Sequence, residues 1–334
     1  MLRNALTDAL TYLLPFRSAR AVSEELLTYL GALVETGALA DIIVIDGSTE
    51  RVFDDFHARL PSGVRHVRVA PDLATLPNGK AAGVLTGLRC ATTPCVVVAD
   101  DDVRYDAAGL MAMRHALGRA EVVRPQNFFA PLPWHACLDT ARSLINRVTG
   151  GDWPGTLGVR RAALERTGGY DGTVLFENLE LVRTVRAAGG RESRPLNLFV
   201  RRLPPRTQHF WSQRVRQAYD EFARPGRLLI WLSALPVLLL AARRNGLLLG
   251  GLLLAPMALA EAGRRVGDGA RVFPARATLA APLWVLERGI CAWLALAARV
   301  ILGGVPYHGR VVSRAATPYR TLVSRHAAAA EQGS

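Results

Sequence analysis

Three consecutive carboxylates, Asp100-Asp101-Asp102, close an apolar run of valines at 96–98. Acids at the end of a buried strand repel one another unless a cation offsets them. A hard divalent ion held by one or two carboxylates and by substrate phosphates does so. Alternate residues of an extended segment point the same way, so Asp100 and Asp102 can act on one ion while Asp101 points elsewhere. Asp46-Gly47-Ser48 ends a second apolar run, where Asp46 could accept hydrogen bonds from a nucleobase or ribose. Asn78-Gly79-Lys80 opens a helical pattern, and a lysine at a helix N-terminus suits a diphosphate.

These clusters need a frame that gathers them. Leu10–Phe16 reads as a strand, 18–36 as a helix with Ser23 a possible cap, and 42–45 as a strand. Further strands are expected over 64–69 and 95–99, with a helix over 79–90 between them. Continuous apolar strands alternating with helices imply an α/β fold with a mostly parallel sheet covered on both faces. Ligands of such sheets bind at the carboxyl ends of the strands, where the polar clusters fall.

The 334 residues carry 41 lysines and arginines against 28 acids, a net charge of +13, and Lys80 is the sole lysine. No RNP motif, zinc-finger spacing or basic–aromatic interleaving accompanies the charge, which argues against nucleic acid as the partner. Four scattered cysteines argue against a disulfide framework and a zinc site. Mean hydropathy is +0.16 despite 21% charged residues, so the apolar content is concentrated. It lies in 228–242 and 246–260, each 15 residues without a charge, and in 278–302, which Glu287-Arg288 interrupts. Fifteen helical residues span roughly 22 Å, short of a bilayer core, so a thin hairpin or re-entrant pair is expected. Arginines 201, 202, 206, 214, 216, 224 and 227 precede this region and 264, 265, 271 and 276 follow it, the layout of basic flanks on an anionic membrane surface. The apolar stretch 9–16 sits between Asp8 and Arg17 and does not read as a signal peptide.

Taken in register, Pro15-Phe16, Asp46-Gly47-Ser48, Gly79-Lys80-Ala81 and Asp100-Asp101-Asp102 resemble the nucleotide-sugar half of family 2 glycosyltransferases of the GT-A fold. The likeness continues through 155–161, Gly168-Gly169-Tyr170-Asp171, Glu177-Asn178-Leu179-Glu180-Leu181 and Gly189-Gly190-Arg191, and covers about residues 8–220. His209-Phe210-Trp211-Ser212-Gln213-Arg214-Val215-Arg216-Gln217 looks like the QxxRW element of membrane-bound, ceramide-glucosyltransferase-like members, with Gln217 in place of the tryptophan.

The resemblance implies a role for each position. Pro15, Asp46, Lys80, Asp100 and Asp101 would bind the nucleotide sugar, and Asp100 and Asp102 would hold Mn2+ or Mg2+. Gly155, Trp211, Gln213 and Arg216 would meet the acceptor or the diphosphate. The family's acidic pair deprotonates the acceptor. Here its aspartate is Asn178, which leaves Glu177 or Glu180 as the base. The implied activity is inverting transfer of one sugar from a nucleotide diphosphate donor, UDP-linked in preference to GDP-linked, to a lipid or lipid-linked acceptor on the cytosolic face of the inner membrane. Asn178 also suits a degenerate relative kept as a membrane scaffold or partner subunit. A sugar-phosphate nucleotidyltransferase would need a glycine-rich loop that 13–20 lacks. The expected organisation is a catalytic domain at 1–200, a basic amphipathic interface helix at 201–227, membrane helices at 228–305 and a basic flexible tail at 306–334.

Overall fold

A computed structural model describes residues 9–307 and 310–332. Residues 1–8, 308–309 and 333–334, parts of the expected first domain and tail, lie outside the described residues. Seven strands form the central sheet in the order β3-β2-β1-β4-β8-β6-β9. They are β1 (Leu10–Phe16), β2 (Asp41–Asp46), β3 (Val64–Arg68), β4 (Cys95–Ala99), β6 (Val122–Val123), β8 (Thr156–Arg160) and β9 (Glu192–Ser193). β1 runs parallel to β2 and β4, and β2 to β3, while β8 is antiparallel to β4 and to β6. A second, three-stranded sheet sets β10 (Phe199–Arg202) between β5 (Val103–Arg104) and β7 (Gln126–Phe129).

Side-chain alternation divides the core between the two faces of the large sheet. Tyr12, Leu14, Ile42, Val44 and Val97 pack on one face, and Leu13, Ile43, Ile45, Val96 and Val98 on the other. The helix Gly79–Cys90 lies hard against β1. A Cβ at Gly87 would stand 2.0 Å from Leu13 Cδ1, so only glycine permits that approach. The first long helix runs from Glu24 to Glu35, not from residue 18. Ser23 caps it by accepting from Leu26 N–H at 3.3 Å, while Ser18 N–H is held by Ser48 Oγ at 2.9 Å in a loop.

The C-terminal half departs further from expectation. The interval 201–227 is not one interface helix. It holds the end of β10, two six-residue helices (Thr207–Ser212 and Arg214–Tyr219) and a 3-10 turn. Its arginines largely turn inward: Arg202 meets Asp102, Arg214 meets Asp139 and Glu287, and Arg224 and Arg227 share Glu221. The interval 306–334 is not a free tail. Val305–Tyr307 pairs with Arg310–Val312, and the helix Tyr319–Gln332 packs back through the buried Leu322.

Helices Pro225–Arg244 and Gly246–Arg265 each have 20 residues, about 30 Å, because each absorbs flanking residues and ends on an arginine pair. They are longer than the uncharged runs alone suggest, and long and apolar enough to cross a membrane by length and composition. In helix Ala281–Leu302, Glu287 and Arg288 face protein, not solvent.

The position of helix Arg214–Tyr219 depends on one buried triad. Arg214, 2% exposed, reaches Asp139 at 2.8 Å on helix Trp134–Arg147 and Glu287 at 3.1 Å on Ala281–Leu302. Replacing Arg214 by alanine leaves the buried Glu287 without its ion-pair partner and Asp139 with only the longer contact to Arg142, at 3.7 Å. Arg214→Ala should cost about 3–5 kcal/mol of stability, read as a lowered thermal midpoint. Breaking the exposed Arg89–Asp72 pair by Arg89→Ala should cost no more than about 1 kcal/mol. Equal midpoints for the two variants would refute this account of the triad.

Candidate functional site

The carboxyl ends of β1, β2 and β4 share one edge of the sheet. β4 delivers Asp100, whose N–H donates to Gly155 O at 2.8 Å. A Cβ at Gly155 would lie 2.7 Å from Asp100 Oδ2 and 3.0 Å from Arg202 Cζ, so glycine is what lets the carboxylate and the guanidinium meet there. β10 pairs with β5, placing Arg202 opposite Val103 and next to the acidic run.

Asn78 joins two distant parts of the chain. Its Oδ1 accepts from Lys80 N–H at 3.1 Å and Ala81 N–H at 3.2 Å, capping the helix; its Nδ2 donates to Val174 O at 2.9 Å. The helix N-terminus is therefore occupied by Asn78, and the positive group offered to a ligand is the Lys80 side chain. The same link brings Lys80 beside Glu177, first residue of helix Glu177–Ala187.

The result is an alternating charge network. Lys80 Nζ lies 2.6 Å from Asp100 Oδ1 and 2.9 Å from Glu177 Oε1. Arg202 Nε donates to both oxygens of Asp102 at 2.9 Å, and its Nη2 reaches Asp100 Oδ2 at 3.4 Å. Burial alone would favour neutral Lys80, but Asp100 and Glu177 hold its pKa above the usual lysine value. Burial raises the pKa of Asp102 despite Arg202, and Asp100 adds to the rise.

Lys80, Asp100, Glu177 and Arg202 open into a cleft of about 680 Å3 that Gly155, Gln213 and Arg216 also line. On its wall Asp220 is pushed up to about 7, first by burial, then by Glu177 and Glu221, with Arg216 and Arg224 opposing. A second cleft, about 600 Å3, is lined by Phe16, Ser18, Asp101 and His209, and His209 borders both. Burial first, then Arg216, keeps the His209 imidazole below its usual pKa. Asp101 lines this second cleft and Asp100 the first, because the acids leave β4 in a turn, Val103 N–H donating to Asp100 O at 3.1 Å, and not in the extended segment that alternation assumes.

Several expected positions stand elsewhere. Asp46 is 2% exposed and turned inward, accepting from Ser48 N–H at 2.7 Å and lying 3.2 Å from His66 Nε2. Burial opposes its ionisation, but His66 and Ser48 hold its pKa below the usual carboxylate value. It lines neither cleft and acts through Ser48, which holds Ser18 at the second one. Pro15 lines neither cleft; it sits on β1 in register with Ile45. Glu180 is fully buried and accepts from Thr317 N–H at 2.7 Å, fastening the C-terminal segment, so it is not placed to be the base. Trp211 lies outside the charged cleft, on an apolar groove of about 430 Å3 with Trp134 and Leu283. Asn178 donates to Pro154 O at 3.1 Å and so steadies the approach to Gly155.

Sequence reading missed Arg202, assigned to the membrane flank, because only the β5–β10 pairing reveals its partner. It also missed His209, although that residue belongs to the 209–217 segment.

As donors for a metal, Asp100 and Asp102 offer oxygen only. Among the described residues no group of three or more His, Cys, Asp or Glu side chains forms a metal cage. Asp100, on the open cleft, fits Mn2+ or Mg2+ completed by phosphate oxygens and water, the usual manner of holding such ions at diphosphates, whereas Asp102 lines neither cleft and would join the ion only in exchange for Arg202, which holds both its oxygens.

The chain matches no family profile and no curated protein sequence. Among solved structures it is similar to a mannosyltransferase from Pyrobaculum calidifontis in complex with GDP-Man and Mn2+. The identity is 19%, over 87% of each chain, with a TM-score of 0.50. It also aligns with glucosyl-3-phosphoglycerate synthase from Mycobacterium tuberculosis in complex with Mn2+ and UDP-glucose, at 16% identity over 64% of this chain and 78% of that one, TM-score 0.42. A third is mannosyl-3-phosphoglycerate synthase from Rubrobacter xylanophilus, 13% identical over 61% and 70%, TM-score 0.40. The first of these likenesses establishes the fold: an α/β, GT-A-like architecture with a mostly parallel mixed sheet, followed in this chain by two long apolar helices.

Proposed function

We propose that this protein is a metal-dependent glycosyltransferase that moves one sugar from a nucleoside diphosphate donor to a lipid or lipid-linked acceptor at a membrane surface. One observation carries the reading: Lys80, Asp100, Asp102, Glu177 and Arg202 converge at the carboxyl edge of the sheet, beside a cleft large enough for a sugar. Family 2 resemblance and the GT-A-like fold supply the reaction class.

In this reading the nucleoside occupies the cleft of Phe16, Ser18 and Asp101, and the diphosphate passes His209 toward Asp100 and Lys80. Bound by Asp100 and Asp102, Mn2+ or Mg2+ would neutralise charge growing on the leaving nucleoside diphosphate. Lys80 adds an ammonium beside that charge. Glu177 is the carboxylate at hand to take the acceptor's hydroxyl proton. The acceptor oxygen bonds to the anomeric carbon as the bond to the diphosphate breaks, which inverts the centre. Gln213 and Arg216 line the acceptor side. The two 20-residue apolar helices anchor the enzyme in the inner membrane, with the sheet domain in the cytosol where nucleotide sugars are made.

A second reading, an inert family-2-like scaffold or partner subunit, draws on Asn178, whose amide holds Pro154 O where the family places a base. Calorimetric titration with UDP and with GDP in the presence of Mn2+ separates the two: binding supports the enzyme, and its absence the scaffold.

Lys80 sits between two carboxylates at 2.6 and 2.9 Å, a space for a compact ammonium and not for a forked guanidinium. Lys80→Arg should lower kcat/KM for donor turnover by about tenfold or more although charge is kept. Asp102→Ala should abolish the Mn2+-dependent part of nucleotide binding. Wild-type values for both variants would remove this network from the mechanism. Alkaline carbonate extraction tests the anchor: the full chain should stay in the membrane pellet, and recovery in the supernatant would exclude an integral anchor.

A further inference from the structure

Helix Ala281–Leu302 carries a buried arginine that pairs with no acid among the described residues. Arg288 is 2% exposed and lines the 680 Å3 cleft. Among the described residues it makes no hydrogen bond or ion pair, and its Nε is buried without a partner. Its nearest aromatic contact is the Trp284 ring, 5.8 Å away. Trp284, four residues earlier and so on the same helical face, is 1% exposed, lines the same cleft and leaves its indole N–H unpartnered. The adjacent carboxylate, Glu287, is engaged by Arg214.

Two buried donors on one wall, one of them charged, are costly unless an acceptor meets them. Nearby groups reinforce the demand. Arg216 and Arg224 also line the cleft with unpartnered Nε atoms, and the cleft's seven cations face five carboxylates. Four of those five are already paired, Asp100 and Glu177 with Lys80, Asp152 with Arg142, and Glu221 with Arg227 and the Nη2 of Arg224. Asp100 and Lys80, also on the cleft, come from the sheet edge and are assigned to the donor in the proposed function.

We infer that Arg288 and Trp284, with Arg216 and Arg224, form an anion subsite, and that the acceptor carries a phosphate which this wall binds. The inference rests on the transferase reading only in naming the ligand as the acceptor. A guanidinium fork matches phosphate oxygens in geometry and charge, and the indole supplies a further donor. The phosphate can belong to a lipid headgroup or to a soluble phosphorylated sugar or acid, and the two share this recognition.

The test uses the full chain in phosphatidylcholine nanodiscs. Glycerol 3-phosphate, dioctanoyl phosphatidic acid and, as control, dioctanoyl phosphatidylcholine are titrated calorimetrically into wild type and Arg288→Gln. At least one phosphate monoester should bind, and Arg288→Gln should weaken it by about tenfold or more. Nucleotide binding with Mn2+ should not change. Binding of both monoesters assigns the site to phosphate itself, whereas binding of phosphatidic acid alone assigns it to a lipid headgroup. No binding of either monoester, or equal binding by Arg288→Gln, overturns the inference. Should Arg288→Gln fail to fold, Arg288→Lys and Trp284→Phe are read by the same criterion. Loss of nucleotide binding by wild type strikes the transferase reading instead and leaves the phosphate titrations to be judged by themselves.

Discussion

Acidic charge packed at the end of β4 is the constraint around which this structure is arranged. Asp100, Asp101 and Asp102 follow a strand buried on both faces; Asp101 is exposed, while Asp100 and Asp102 are only partly so and repel one another at close quarters. The fold answers from two directions. Lys80 arrives from the helix that follows β3, and Arg202 from the small sheet that β10 completes. Neither cation is near the acids in sequence, so the network closes only when both sheets have formed. Gly155 and Asn78 are its accessories: one removes a side chain where Asp100 and Arg202 meet, and the other ties the Lys80 helix to the segment preceding Glu177.

The same charge logic extends away from the sheet. Helix Ala281–Leu302 is apolar on its outer face, yet it sends Glu287 to Arg214 and Arg288 into the cleft. The helix thereby joins the charged cleft to the long apolar helices, since Trp284 contacts Trp231 of Pro225–Arg244 with ring centroids 5.0 Å apart. Trp211 and Trp134 line the groove on its other side with Leu283 and Ile290. A charged cavity and an apolar groove sharing one helix suit an amphiphilic acceptor, which is the physical basis for preferring a lipid-linked substrate in the proposed function.

How much of this the sequence disclosed follows from the range of each interaction. β1, β4 and the helix Gly79–Cys90 are local patterns of hydrophobicity and capping, and they lie where periodicity puts them. The acidic run and Lys80 are legible as chemistry because residue type and position, at a strand end and at a helix start, are enough; Gly155 is legible only through the family resemblance. Arg202, Arg214 and the tail are not. Their partners, Asp102, Asp139 and Glu180, are 100, 75 and 137 residues away, and an arginine count before an apolar region describes a membrane flank equally well. Asp46 and Glu180 show the converse error: a carboxylate at a strand end or helix start is as easily turned inward, and only the position of His66 and Thr317 decides it.

The lone lysine is where the two scales meet. Arg202 spans two acids with different nitrogens of one planar group, Nε on both oxygens of Asp102 and Nη2 on Asp100 Oδ2. Lys80 has a different task. It bridges carboxylates on two elements, Asp100 from β4 and Glu177 from the helix opposite, and needs a single compact donor that can be shared and redirected. An ammonium on a flexible stem can turn from Glu177 to an incoming phosphate, and that turn would free the carboxylate as it is needed to accept a proton. A guanidinium held by its own geometry could not make the exchange as readily. The departure at Asn178 makes such an exchange more consequential, because Glu177 is then the carboxylate that must serve both as a partner of Lys80 and as the proposed base.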